Sequence, residues 1–165
     1  MRPVSALFWS AVFLFIAPGT LAGYIPWAIT DWRLVGAPPA LMALGGLLIA
    51  GGLLLLLECF AQFALQGRGT PAPVAPPERL VVTGPYRRVR NPMYVAVVAM
   101  ILGQAALFAD VRLLVYALAV WLGFHAFVLL YEEPALRRAF PNDYAAFTSA
   151  VPRWRPRLRP WRAPS

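Results

Sequence analysis

Pro92–Tyr131 reads PMYVAVVAMILGQAALFADVRLLVYALAVWLGFHAFVLLY, and it decides the fold. One apolar run spans Pro92 to Phe108, Asp110 marks a very short turn, and a second run spans Val111 to Tyr131. Apolar runs approaching twenty residues suit helices that cross a bilayer. So short a link forces the two helices into an antiparallel hairpin, with the start of one beside the end of the other.

The rest of the chain fits that setting. Hydrophobic residues make up 60% of the 165 and charged residues only 13%, with a mean hydropathy of +0.62; a soluble domain carries about 25% charged residues. A run from about Val4 to Ile29 is broken by Pro18 and Pro26 and reads as a retained helix rather than a cleaved signal, because apolar residues continue past the small-residue stretch ending at Ala22. A further run from Ala37 continues amphipathically to about Gln66. Within it Gly46 and Ala50 stand four apart, with Gly45, Gly51 and Gly52 nearby, a spacing that lets helices approach closely in lipid. The expected architecture is one all-α integral membrane domain, residues 1–165. Its spans lie near 4–29, 37–66, 92–108 and 111–131, followed by an interfacial helical tail, 134–165.

Between the second and third spans, Gly67–Pro77 is too rich in proline for a regular helix. All fifteen basic residues are arginine, and the net charge is +8. With four spans, the N-terminus, the loop 67–91 and the tail share one side and hold thirteen of those arginines, leaving Arg33 and Arg112 opposite. The positive-inside rule places loop and tail in the cytoplasm, as in a bacterial inner membrane. In the tail, Ala135–Phe147 reads as short helices with Asn142 or Asp143 as a cap. Beyond it, VPRWRPRLRPW (Val151–Trp161) alternates arginine with tryptophan, leucine and proline, which suits anionic lipid headgroups better than nucleic acid. A single Cys59 and a single His125 cannot build a zinc cage.

Ionisable groups near membrane depth need a reason. Glu58, Gln62, Gln104, His125, Glu132 and Glu133 are such groups. On a regular α-helix His125 and Glu132 point within about 20° of one another, whereas Glu132 and Glu133 point about 100° apart. Taken singly, the two glutamates suit a solvated helix end, His125 a satisfied bundle residue, and Arg87–Arg90 a topology signal. Assembled by the hairpin, Arg90, Asn91, Tyr94, Tyr131, Glu132 and Glu133 fall in one layer. Carboxylates, arginine, amide and tyrosine faces together suit a small zwitterionic cation such as S-adenosylmethionine, without selecting it.

The motif Leu80-Val81-x-x-Gly84-x-Tyr86-x-x-x-Arg90-Asn91-Pro92-x-Tyr94, followed by Glu132-Glu133-x-x-Leu136 and by Tyr144…Val151-Pro152, resembles the isoprenylcysteine carboxyl methyltransferase family, related to phospholipid N-methyltransferases. The resemblance covers about residues 65–157. It implies S-adenosylmethionine-dependent methylation of a lipophilic acceptor, a carboxylate among the candidates, with a phospholipid amine, a small thiol or a non-catalytic scaffold as alternatives. It assigns cofactor contacts to Glu78, Arg79, Leu80, Val81, Tyr86, Asn91, Pro92, Met93, Tyr94 and Glu132, and involves no metal. Arg90, His125 and Glu133 stand as candidates for a catalytic role. Asn91 replaces the family's usual histidine, keeping a donor and an acceptor without titrating near neutrality. Val128 stands where the eukaryotic enzymes have an arginine that contacts substrate.

Overall fold

The computed structural model describes residues 12–62 and 80–162. Glu78, Arg79 and the proline-rich segment lie outside them. Five helices account for most of the described chain: α1 (Val12–Thr30), α2 (Pro39–Gln62), α3 (Pro92–Phe108), α4 (Val111–Ala139) and α5 (Pro141–Ala150). Helices α1, α2 and α4 are long and apolar enough to cross a membrane, and α3 is a shorter apolar helix. At about 1.5 Å per residue, the 17 residues of α3 sit at the lower limit for spanning. The protein is an all-α membrane protein.

Proline shapes both irregular helices. In α1 a π-helical turn, Thr20–Tyr24, ends two residues before Pro26; in α4 a second, Val128–Glu132, ends two residues before Pro134. Proline has no N–H, and its ring clashes with the carbonyl four residues back, so widening the preceding turn lets the helix continue. Pro26 leaves the Leu21 and Ala22 carbonyls without their helical donor. Tyr116 on α4 donates its hydroxyl to the first at 2.9 Å, and Gln104 on α3 donates its amide to the second at 2.7 Å. That explains a buried glutamine in an apolar helix: in lipid, freed carbonyls must be satisfied from within the protein.

Packing centres on α3, whose Ala96 and Ile101 are fully buried. A Cβ on Gly45 would stand 2.6 Å from the Gly103 carbonyl oxygen, and one on Gly52 2.8 Å from that of Ala96. Gly45 and Gly52 are two turns apart, so both face α3. Gly46 and Gly51 meet nothing within 4 Å. The close approach therefore uses Gly45 against Gly103 and Gly52 against Ala96 and Met100, not the Gly46–Ala50 pair that spacing alone favoured.

The hairpin turn has its own chemistry. Ala109 closes α3 in the left-handed region, φ 50°, and the Asp110 carboxylate caps α4 by accepting from the Arg112 N–H at 2.9 Å. Two tail expectations change. Helix α4 runs on to Ala139 instead of ending near Tyr131, because the π turn absorbs Pro134. Helix α5 starts at Pro141 behind Phe140, with no side-chain cap from Asn142 or Asp143. Asp143 lies in the first turn, where a carboxylate complements the helix dipole.

Candidate functional site

Antiparallel pairing of α3 and α4 brings the start of one to the late turns of the other. Tyr94, one turn into α3, donates its hydroxyl to the Glu132 carboxylate at 2.9 Å, and its ring lies 4.5 Å from that of Phe124. Arg90, just before α3, reaches Glu133 at 3.0 Å. Glu133 also receives Arg153 from the tail, through Nε at 2.6 Å and Nη2 at 3.0 Å, with Arg137 at 4.0 Å. Glu133 is buried. One carboxylate thus joins α4, the loop before α3 and the C-terminal tail. Tyr131 stays out of this layer, half exposed and stacked on Phe127.

The π turn explains why the two glutamates divide their work. It inserts one extra residue into the register, rotating everything beyond it by about 100° relative to an unbroken helix. Glu133, not Glu132, then falls below His125. Both face the tail: Trp154 donates its indole N–H to His125 Nδ1 at 3.0 Å, and Arg153 clamps Glu133. Trp121 stacks on His125 at 5.3 Å and lies 6.2 Å from the Trp154 ring, so the three rings form one cluster. Glu132 turns instead toward α3 and Tyr94.

The segment before α3 is held from both sides. Gly84 adopts φ 52° with the Gln62 side chain against it, and Thr83 donates to Gln62 Oε1 at 2.9 Å; the positive φ and the crowding together call for glycine here. Val81 and Tyr86 pack on Cys59 at the end of α2, and Tyr86 shares a hydrogen bond with that thiol. Burial pushes the Tyr86 phenol well above its ordinary pKa, so it stays neutral. Leu80 packs with Tyr144, Phe147 and Val151. Pro92 is buried, and Met93 packs into the core beside Tyr86.

On the other side the tail runs along residues 87–91. Arg90 N–H donates to the Pro152 carbonyl at 3.0 Å, Arg157 N–H to that of Arg88 at 2.9 Å, and Trp161 N–H to that of Arg87 at 2.8 Å. Arg87 Nε returns a bond to the Trp161 carbonyl at 2.6 Å. Asn91 is buried and donates to the Arg153 carbonyl at 3.2 Å. The structure thus adds Arg153, Trp154 and Trp161, which the motif did not single out, and gives the motif's Pro152 a partner in Arg90. The tail's alternation was a signal for them: Arg153, Trp154, Arg157 and Trp161 turn inward, while Arg155, Arg159 and Arg162 remain exposed.

Beside the Tyr94–Glu132 pair, an apolar crevice of about 70 Å³ opens among the helices, lined by Phe13, Pro18 and Leu21 of α1, Leu56 of α2, Tyr94 of α3 and Phe124 of α4. Ligand pockets usually measure roughly 300–1,000 Å³, so this space admits only the thin end of a chain unless α1 moves. Chemically, the arrangement offers a carboxylate and a phenol over an apolar slot, with a clamped polar layer beside it. Within that layer Arg90 Nε is fully buried and has no hydrogen-bond partner.

The family described as Phospholipid methyltransferase matches residues 40–143, from the start of α2 into α5. It includes membrane methyltransferases of the isoprenylcysteine carboxyl type, so the match agrees with the resemblance carried by Gly84–Tyr94 and Glu132–Glu133. No curated protein and no solved structure matches the chain.

Proposed function

The chain belongs to the phospholipid methyltransferase family, and on that premise we propose that it transfers a methyl group from S-adenosylmethionine to a lipophilic acceptor at the cytoplasmic membrane surface. The family implies a membrane methyltransferase acting on lipid-like substrates. The observation that carries the finer reading is the Tyr94–Glu132 pair set over an apolar crevice where α3 and α4 converge.

The residues present fit the cofactor. Tyr94 bonds to one oxygen of Glu132, and the carboxylate retains acceptor capacity for ribose hydroxyls or an ammonium. The buried, unpartnered Arg90 Nε is a spare donor for a carboxylate. Tyr94 and Phe124 offer aromatic faces to a cation. S-adenosylmethionine, when bound, supplies an electrophilic methyl on a sulfonium. The protein's part is to align the two partners and exclude water. Glu133 and the tail hold the loop that carries Arg90 and Asn91, and the crevice offers the acceptor an apolar path. Arg90, Asn91 and Glu133 act here by holding and orienting. His125 bonds to the tail, which gives it a positioning role.

Val128, buried within the π turn, favours an amine headgroup over a carboxylate as acceptor, since no guanidinium stands at that position. The exposed Arg155, Arg159 and Arg162 would rest on anionic headgroups, consistent with a cytoplasmic tail in a bacterial inner membrane. Incubating membranes that contain the protein with methyl-labelled S-adenosylmethionine, then identifying the label in the lipid phase by mass spectrometry, tests the proposal. A labelled phospho-amine lipid supports it. Tight cofactor binding with no labelled product from any lipid extract would assign the chain to a scaffold.

A further inference from the structure

At the other end of the bundle, the link from α1 to α2 meets the turn from α3 to α4 around a cleft of about 520 Å³. That volume falls within the range of ordinary ligand pockets, and the cleft lies a full helix length from Glu132. Two acid–base pairs line it, one on each loop: Asp31 with Arg33 at 3.7 Å, and Asp110 with Arg112 at 2.6 Å. Asp31 also acts electrostatically on Arg112, so the two loops share one field. Phe108 and Val35 supply apolar wall.

The pairs differ in how tightly they are held. Arg112 grips Asp110 through three side-chain hydrogen bonds of 2.6–3.1 Å. That grip keeps the Asp110 carboxyl below its ordinary pKa and therefore charged. The Arg33–Asp31 contact is long and its groups are mostly exposed, 80% and 63%, so both can turn to a ligand. Asp31, Trp32 and Ala109 all take positive φ, from 47° to 52°; they are the described non-glycine residues that do so, and all sit at this end. Asp31 and Ala109 take it as the left-handed C-caps that end α1 and α3, which turns both loops toward the cleft.

Chemistry and location together narrow the occupant. The cleft carries two cations and two anions, balanced and within one pocket. Tyr24, Trp27 and Trp32 ring this end with exposed aromatic surface, as side chains do at the headgroup level of a bilayer. We propose that the cleft binds the headgroup of a zwitterionic phospholipid, the guanidiniums of Arg33 and Arg112 taking the phosphate and the carboxylates of Asp31 and Asp110 taking the ammonium. Phe108 and Val35 receive the start of the acyl chains. This site stands apart from the proposed methyl-transfer site.

The test is native mass spectrometry of the detergent-purified full chain, titrated with dioleoylphosphatidylethanolamine or dioleoylphosphatidylglycerol. Wild-type protein retains one phosphatidylethanolamine preferentially. The double variant Arg33→Gln, Arg112→Gln loses that adduct at least fivefold while keeping its elution volume and methyl transfer. Asp31→Asn, which tolerates the left-handed turn, erases the preference for phosphatidylethanolamine over phosphatidylglycerol. Soluble O-phosphoethanolamine fails to displace the adduct, because the headgroup arrives anchored by its chains. Equal lipid retention by wild type and the double variant overturns the site. Displacement by micromolar O-phosphoethanolamine overturns the lipid as its occupant.

Discussion

Replacing Glu133 with glutamine should release the tail before it does anything else. Its carboxylate has 7% of its surface exposed and accepts from Arg90, itself only 12% exposed, and from Arg153. Glutamine keeps one acceptor oxygen but sets an amide donor against a guanidinium donor, and it leaves the Arg90 charge buried and uncompensated. Breaking a buried ion pair on one side costs about 3–5 kcal/mol. Arg153 and Arg137 are 28% and 66% exposed and recover hydration, which argues for the low end, about 3 kcal/mol. At roughly 2–4 °C per kcal/mol for a chain of this size, Tm should fall by about 6–12 °C in detergent. Trypsin should cut the tail arginines several-fold faster at temperatures well below unfolding. Glu132→Gln, which leaves Glu133 and the tail untouched, should shift Tm by no more than about 2 °C by the same conversion. If Glu133→Gln unfolds at the wild-type Tm with wild-type tail cleavage, Glu133 is not the joint between α4, loop and tail.

The Pro26 account predicts a thermodynamic cycle: Gln104→Leu should lose about 1–2 kcal/mol by stranding the Ala22 carbonyl, and adding Pro26→Ala should recover part of it; additive losses would refute the link. Gly103→Ala, whose Cβ would lie 2.8 Å from the Gly45 carbonyl oxygen, should lower stability by about 1–3 kcal/mol. Gly46→Ala should be near neutral, and equal thermal shifts would show that α2 presents another face. Asn91→Leu should weaken tail attachment by about 1 kcal/mol, read as faster trypsin cleavage after Arg153 and Arg157, whereas Asn91→His, which keeps a donor, should stay close to wild type.

The helical hairpin was legible because length, hydropathy and a short polar turn all act locally. So was the meeting of Arg90 and Tyr94 with the Glu132–Glu133 pair, which follows from antiparallel pairing alone. The division of labour between the two glutamates was hidden, because it depends on one extra residue in the α4 register. Pro134 forces that residue, and regular 100° steps cannot foresee it. The recurrence of a π turn at the same offset before Pro26 and before Pro134 shows that proline position carried a usable signal. Nor could spacing decide between Gly45 and Gly46 as the contact face, since both belong to small-residue patterns and only the neighbour settles it. The tail's attachment to the loop before α3 was hidden for a different reason. Its bonds to residues 87–91 are largely made by backbone groups, which every residue carries, so arginine and tryptophan side chains alone suggested lipid contact throughout.

The central claim is that the Tyr94–Glu132 pair serves methyl transfer at the membrane surface. It is tested most directly with purified protein in phosphatidylethanolamine nanodiscs, by following tritium from methyl-labelled S-adenosylmethionine into the organic phase for wild type and Glu132→Gln. Wild type should label lipid, and the variant should need at least about tenfold more cofactor for the same rate, the equivalent of about 1.4 kcal/mol of binding. Wild-type rates at every cofactor concentration in Glu132→Gln, with its fold intact, would contradict the account.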